Sequence, residues 1–386
     1  MKRYVIIGNG VAGTTAAEQI RKLDDQGEIT ILAAEDIPFY YRIRLNEYIS
    51  GDMTEDALIA RDANWYAQRN IKLLTGIRAT DSDPEKQLVI TSNNQNFAYD
   101  ALLLATGSKS FVPPIKGADK KGVFTLRTVA DARQIISFCE HADKVVLIGG
   151  GLLGLEAGNA LIKRGKRVTV VEFSTRLLPR QLDEKGATRL KKLLEDMGFF
   201  FRINAATQEI TGTTSVDGIT LKGGEIIKAD MVIISAGVRP DLELGKKLGL
   251  TCDRGIVVDA SLQTSRPGVF AAGDVAEFNK ILYGIWPAAM QQGKAAGINM
   301  AGGSMVYQGS VMANKLKVAG IELASAGEID AENRFVSKVE ESDKAYKKII
   351  TDANRIIGCI MIGDTSDFAG VTKAMAEKKG IDAITS

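Results

Sequence analysis

The chain has 386 residues, 45 % hydrophobic and 25 % charged, with 39 glycines and 8 prolines. That composition fits a globular protein of two or three domains and excludes a disordered or fibrous chain. A net charge of +2, no apolar run of membrane-spanning length and no signal-peptide core argue against nucleic-acid binding, membrane insertion and secretion. Cys139, Cys252 and Cys359 stand far apart, so dithiol, zinc-ribbon and iron–sulfur motifs are lacking and a reducing, cytoplasmic location is expected.

From the N-terminus, "RYVIIGNGVAGTTAAEQIRK" followed by "EITILAAE" reads as strand, glycine turn, helix and second strand ending in Glu35. Gly8, Gly10 and Gly13 form G-x-G-x-x-G. The first glycine permits a tight turn, the second lets backbone approach a pyrophosphate, and the third lets helix and strand pack closely. The helix start presents free N–H groups to the phosphates. Glu35 lies about 20 residues on, where a carboxylate accepts from ribose hydroxyls. The next stretch, "PFYYRIRLNEY" (38–48), crowds aromatics and two arginines together and contains neither cysteine nor histidine. "ALLLATGS" (101–108) is an apolar run ending in small residues and reads as a strand.

The same design then recurs. "DKVVLIGGGLLGLEAGNALIKRG" and "KRVTVVE" supply Gly149, Gly151, Gly154 and a second acid, Glu172. An acid here accepts from the 2′-hydroxyl of NAD and repels the 2′-phosphate of NADP, which favours NADH. Arg176 and Arg180 follow closely and can answer a phosphate, so NADPH stays open as the alternative. His141, before this module, reads as a surface helix residue.

"MVIISAGVRP" (231–240) is a further strand, and "GIVVDASLQTSRPGVFAAGDVAEF" (255–278) reads as two strands around a turn at Pro267-Gly268. Residues 288–302 are helix-like, with alanine and glycine at close-packing positions. Beyond Gly303, "KAYKKIIT", "RIIGCIMIGD" and "GVTKAMAEKK" read as two strands and a helix. The expected fold is α/β, with two Rossmann-like domains and a small C-terminal α+β domain. The boundaries are 1–111 with 241–303, then 112–240, then 304–386.

Two dinucleotide modules imply two dinucleotides. FAD is assigned to the first, because "LLLATGS" and "FAAGDV" can close around it, and a nicotinamide to the second. Asp274, at a strand end in "AAGDV", can bond a ribityl hydroxyl or, alternatively, cap a helix.

In combination, GNGVAG with Glu35, ATG at 105–107, GGGLLG with Glu172, AGV at 236–238 and AAGDV at 271–275 resemble the FAD-dependent pyridine nucleotide-disulfide oxidoreductases. These motifs run from residue 1 to about 303. Within that family, "YYRIRLNEY" and the short C-terminal domain resemble NADH:rubredoxin oxidoreductases and the N-terminal flavin half of the NADH-dependent nitrite reductase large subunit. The resemblance implies a glutathione-reductase type of arrangement. It implies FAD contacts at Gly8, Gly10, Val11, Ala12, Gly13, Ala34, Glu35, Arg42, Ala79, Ala105, Thr106, Gly107, Gly273, Asp274, Ile285 and Lys317. It implies NAD contacts at Gly149, Gly151, Leu152, Leu153, Gly154, Glu156, Glu172 and Gly237. Lys317 matches a lysine at the flavin's pyrimidine edge, where a cation tunes the flavin, and is otherwise a solvated lysine. Glu156 matches a glutamate at the flavin–nicotinamide contact, and is otherwise a first-turn acid favoured by the helix dipole. Trp286 and Pro287 precede a helix whose start points at the flavin in the family; an interior Trp is the alternative.

The departures are equally informative. Disulfide-reducing members need C-x-x-x-x-C after the first module, and other branches need one cysteine near positions 42–46. Arg42, Ile43, Arg44, Leu45 and Asn46 stand there instead. No thiol relay is expected, and no metal site. The implied activity takes hydride from NADH to FAD and passes electrons to a small one-electron carrier, above all rubredoxin. Arg42, Arg44, Lys315 and Lys317 are candidates for a basic rim facing that acidic partner. One alternative is the diaphorase component of a nitrite-reducing system; lacking cysteines for a cluster or sirohaem, the chain is not expected to reduce nitrite alone. Another, of a different class, is an NADH-responsive redox-sensing flavoprotein. The oligomeric state stays open.

Overall fold

The computed structural model describes residues 1–310 and 313–384. Strand β1 (Arg3–Ile7) is buried in its last four residues, as a parallel strand covered on both faces must be. Gly8 ends it at φ 110°, and helix α1 (Val11–Leu23) follows. Strand β2 (Glu28–Leu32) returns parallel to β1, with Tyr4 opposite Ile29 and Ile7 opposite Leu32. Helix α2 (Leu45–Ser50) comes next, then strands β3 (Ile71–Leu74) and β4 (Ala101–Leu104).

The second module begins with β5 (Val123–Phe124) and β6 (Lys144–Ile148). Helix α3 (Leu152–Lys163), strand β7 (Arg167–Glu172), helix α4 (Glu184–Asp196), strand β8 (Phe199–Ile203) and strand β9 (Met231–Ile234) complete it. The chain then adds β10 (Val269–Ala271) and helix α5 (Trp286–Met300).

The first sheet has the order β10-β4-β1-β2-β3 and the second β8-β7-β6-β9-β5, both parallel throughout. In each, the winding direction reverses beside the first strand of the glycine motif. That reversal opens the crevice where ligands of doubly wound sheets bind.

A third sheet, antiparallel, has the order β11-β12-β15-β14-β13: β11 (Ala313–Val318), β12 (Ile321–Gly327), β13 (Val336–Glu341), β14 (Tyr346–Asp352) and β15 (Arg355–Ile362). Helix α6 (Phe368–Ala376) covers one face, burying Phe368, Val371 and Ala374. Only β14, β15 and α6 were expected here. β13 is an edge strand that is mostly exposed and charged, and β12 buries alanines, so neither carries an apolar alternating signal. The 255–278 stretch also holds three short strands rather than two. Gly273, at φ 85°, breaks the run before Ala276–Phe278.

By contacts, the chain forms two compact units. One comprises Met1–Arg44, Thr54–Lys109 and Val238–Val311; the other Leu45–Met53, Ser110–Gly237 and Met312–Ser386. In the second unit α2 is tied to α3: Arg164 donates to the Ile49 carbonyl, and Lys163 pairs with Asp52 at 2.6 Å. Among the described residues no helix is long and apolar enough to cross a membrane, and no cluster of His, Cys, Asp or Glu could hold a metal. His141 is exposed in a turn after the helix Val129–Cys139.

Candidate dinucleotide sites

In the first unit, the glycine turn is closed by backbone. Gly8 N–H donates to the Leu32 carbonyl at 2.9 Å, and a Cβ on Gly8 would lie 2.1 Å from the Ala105 oxygen. A Cβ on Gly13 would lie 2.0 Å from the Gly8 oxygen, so strand and helix touch through glycine alone. Gly10 differs, with nothing within 4 Å of its missing Cβ. It caps α1 without a side-chain hydrogen bond, which leaves the N–H groups of Val11, Ala12 and Gly13 to an anion. Beside it, Asn9 Oδ1 accepts from Tyr66 Oη at 2.9 Å, while Asn9 Nδ2 is buried with no partner. A phosphate oxygen at the helix start would satisfy that donor, so the cradle fits a dinucleotide.

Several of the other expected FAD residues follow strands of the first sheet. Ala34 and Glu35 follow β2, and Glu35 accepts from Tyr40 Oη at 2.7 Å and from Arg42 at 2.5 Å. Arg42 also lies over the Tyr40 ring, 5.0 Å from its centroid. Ala79 starts a short strand just past Ile77, whose N–H bonds the Ala33 carbonyl. After β4, Ala105 N–H donates to Ile7, Thr106 Oγ1 donates to the Asp241 carbonyl at 3.0 Å, and Gly107 adopts φ 71°. After β10, Gly273 N–H donates to Gln292 Oε1 at 2.8 Å, and Asp274 accepts from Ser108 Oγ at 2.7 Å. A strand, not a helix, follows Asp274, which removes the helix-cap alternative.

Ile285 caps α5, again without a side-chain bond and with Pro287 in the first turn. Trp286 stacks on Phe39 (centroids 5.7 Å apart, 29° between planes) and on Tyr41 (6.0 Å, 28°). Phe39 and Tyr41 thus build one wall beside the α5 start, and Tyr40 and Arg42 hold Glu35. Sequence reading missed Asn9, Tyr66, Ser108 and Gln292 in this site. Only the aromatic crowding at 39–41 signalled any of the construction.

In the second unit the geometry repeats. Gly149 adopts φ 114°, a Cβ there would meet the Ser235 oxygen at 2.4 Å, and one on Gly154 would meet the Gly149 oxygen at 2.5 Å. Gly151 is open and caps α3 with no side-chain bond, so Leu152, Leu153 and Gly154 present their N–H groups. Gly237, at φ 96°, follows β9. Glu172 ends β7 with only 9 % exposure and accepts from Gly150 N–H at 2.6 Å and Ser174 N–H at 2.7 Å. It braces the glycine turn from the end of β7. Arg176 donates to the carbonyls of Leu182 and Pro179, which commits it to its own loop, while Arg180 is exposed.

Glu156 is half-buried on α3 and accepts from Ala319 N–H, in the β11–β12 turn, at 3.2 Å. Burial raises its pKa, and the charge of Glu47 adds to this against the Ala319 hydrogen bond. Lys317 is exposed on β11, in the same unit as Glu156 and not in the unit that holds the other expected FAD residues. All three cysteines are free; Cys139 and Cys359 are buried, and burial pushes the Cys359 thiol up to about 11.

Residues 2–293 match the pyridine nucleotide-disulphide oxidoreductase family, and residues 313–379 match the rubredoxin NAD+ reductase C-terminal domain. The chain belongs to the pyridine nucleotide-disulphide oxidoreductase family, whose members bind FAD and NAD(H). It is 33 % identical over 387 residues to the NADH-rubredoxin oxidoreductase of Clostridium acetobutylicum, covering 100 % of this chain and 97 % of that protein. The crystal structure of NADH:rubredoxin oxidoreductase from that organism superposes with a TM-score of 0.86 at 30 % identity, covering 100 % of this chain and 99 % of that one. The Nitrite reductase [NAD(P)H] of Bacillus subtilis is 38 % identical over 370 residues, 95 % of this chain but 46 % of that protein. The chain spans about half the length of several such curated relatives.

Proposed function

We propose that this chain is an NADH:acceptor oxidoreductase that delivers electrons to a small one-electron carrier, foremost rubredoxin. The observation that carries the reading is two open glycine cradles in one chain with no cysteine in either. When bound, FAD supplies the conversion from two-electron donor to one-electron acceptor. Gly10, Val11, Ala12 and Asn9 would hold its pyrophosphate, Glu35 its adenosine ribose and Asp274 its ribityl chain. The second cradle would hold the nicotinamide dinucleotide, with Gly151 to Gly154 at the phosphates. Glu172 supports NADH over NADPH, and so does the internal engagement of Arg176. By the family resemblance, Lys317 is assigned to the flavin's pyrimidine edge and Glu156 to the flavin–nicotinamide contact.

Residues 1–111 with 241–303 form the FAD domain in this reading, 112–240 the NADH domain and 304–386 a third domain, working in a reducing, cytoplasmic compartment. The near full-length match to an NADH-rubredoxin oxidoreductase supports rubredoxin as partner. The test is anaerobic: NADH is added, then rubredoxin, ferredoxin, nitrite and oxygen are offered separately. Fast reoxidation by rubredoxin is expected, and reoxidation by oxygen alone would refute the proposal. A second reading, the electron-donating component of nitrite or nitrate reduction, is favoured by the 38 % and 37 % identities to Bacillus subtilis proteins of those functions. It predicts turnover only with the cognate reductase present.

A further inference from the structure

One cluster of buried charge lies apart from both cradles. Lys348, on β14, is 3 % exposed, and its Nζ reaches Asp183 at 3.1 Å, the Asp330 carboxylate at 3.7 Å and the Asp330 carbonyl at 3.2 Å. Tyr346, also on β14, donates to the same Asp183 oxygen at 2.8 Å. The other Asp183 oxygen accepts from Gly186 N–H at 2.9 Å and caps α4. Ion pairs this deep are a weak source of net stability, so their worth lies in the arrangement they impose.

That arrangement is a loop with two fixed ends. Glu172 opens it, accepting from Ser174 N–H, and Asp183 closes it. In between, Leu177 packs on the glycine turn: a Cβ on Gly150 would lie 2.7 Å from Leu177 Cδ2. Arg176 ties the carbonyls of Pro179 and Leu182. The loop is therefore a wall of the second cradle, and its far end is fastened to the C-terminal sheet.

We propose that Lys348 is a positioning residue for the nicotinamide-dinucleotide site. With Tyr346 it holds Asp183, and through Asp183 it holds the 172–183 loop in the shape that receives the adenosine half of the ligand. This rests on the second cradle being the nucleotide site. The test uses the FAD-loaded full chain, calorimetry with ADP-ribose, and NADH steady-state kinetics with ferricyanide. Lys348→Met weakens ADP-ribose and raises KM for NADH by about tenfold, with kcat and flavin content unchanged. Lys348→Arg, which keeps the cation, recovers most of the loss. Should Lys348→Met not fold, Tyr346→Phe decides, because it removes one hydrogen bond and leaves the ion pairs. It is expected to weaken ADP-ribose about threefold. Unchanged affinity in a folded Lys348→Met, or in Tyr346→Phe, overturns the proposal. Absence of ADP-ribose binding by the wild type overturns the nucleotide reading itself, and this inference with it.

Discussion

Replacing Glu172 separates its two duties. Its carboxylate accepts from Gly150 and Ser174 N–H groups at the end of β7, beside the second glycine turn. Glu172→Ala leaves both amides without an acceptor, at about 1–3 kcal/mol each. That amounts to a melting-temperature loss of roughly 5–20 °C in a unit of this size. Glu172→Gln keeps a carbonyl oxygen for one amide and removes the charge, so the fold should largely survive. A 2′-phosphate about 5 Å from the carboxylate, at an effective dielectric of about 40, is repelled by about 1.7 kcal/mol per unit charge. Removing the charge should then raise the NADPH-to-NADH ratio of kcat/KM by at least about 15-fold. The assay is ferricyanide reduction with each nucleotide, alongside thermal melting of all three proteins. An unchanged nucleotide ratio in folded Glu172→Gln, or an unchanged melting temperature in Glu172→Ala, would refute the reasoning.

The two kinds of fingerprint glycine should fail differently. Gly10 has extended backbone and open space, so Gly10→Ala should keep the fold within about 1 kcal/mol yet lose flavin, read as absorbance near 450 nm. Gly13→Ala drives a methyl into the Gly8 oxygen and should cost more than about 3 kcal/mol; normal melting would count against the packing argument. With burial raising all three thiols, N-ethylmaleimide should leave NADH–ferricyanide turnover unchanged. Loss of activity in step with labelling would mean that a sulfur takes part. Burial raises the Glu156 pKa, so the folded state holds that proton more tightly, and stability falls as pH climbs from the unfolded value to the folded one and stays lower above it. Glu156→Gln should therefore melt higher than wild type near pH 8 and show no advantage near pH 4, and equal gains at both would contradict this.

The parts of the molecule that sequence made legible are those where backbone geometry admits one residue type. Gly8, Gly13, Gly149 and Gly154 are required by oxygens at 2.0–2.5 Å from any added Cβ, and that requirement is written in the chain as spacing. The acids after β2 and at the end of β7 were legible for a different reason, their distance of about 20 residues from each glycine motif. Their partners were not. Nothing in the spacing tells that Glu172 bonds Gly150 or that Arg42 turns onto Glu35, because side-chain hydrogen bonds depend on rotamers set by distant packing. The Lys348–Asp183 pair joins residues 165 apart, beyond any local pattern. In the C-terminal sheet, alanine-rich β12 and charged β13 form strands through their neighbours rather than through their own propensity.

The interleaving of the two units bears on how the protein is made. The central sheet of the second unit is encoded in one uninterrupted stretch, Val123 to Ile234. The first sheet waits for β10 at Val269–Ala271. At a ribosomal pace of about 5–20 residues per second, the inserted module can complete itself while the earlier N-terminal strands remain half-built. During that interval Leu102 and Leu103 of β4, fully buried in the finished sheet, have no β10 to pair with. Such an unpaired apolar edge is a point of vulnerability to aggregation.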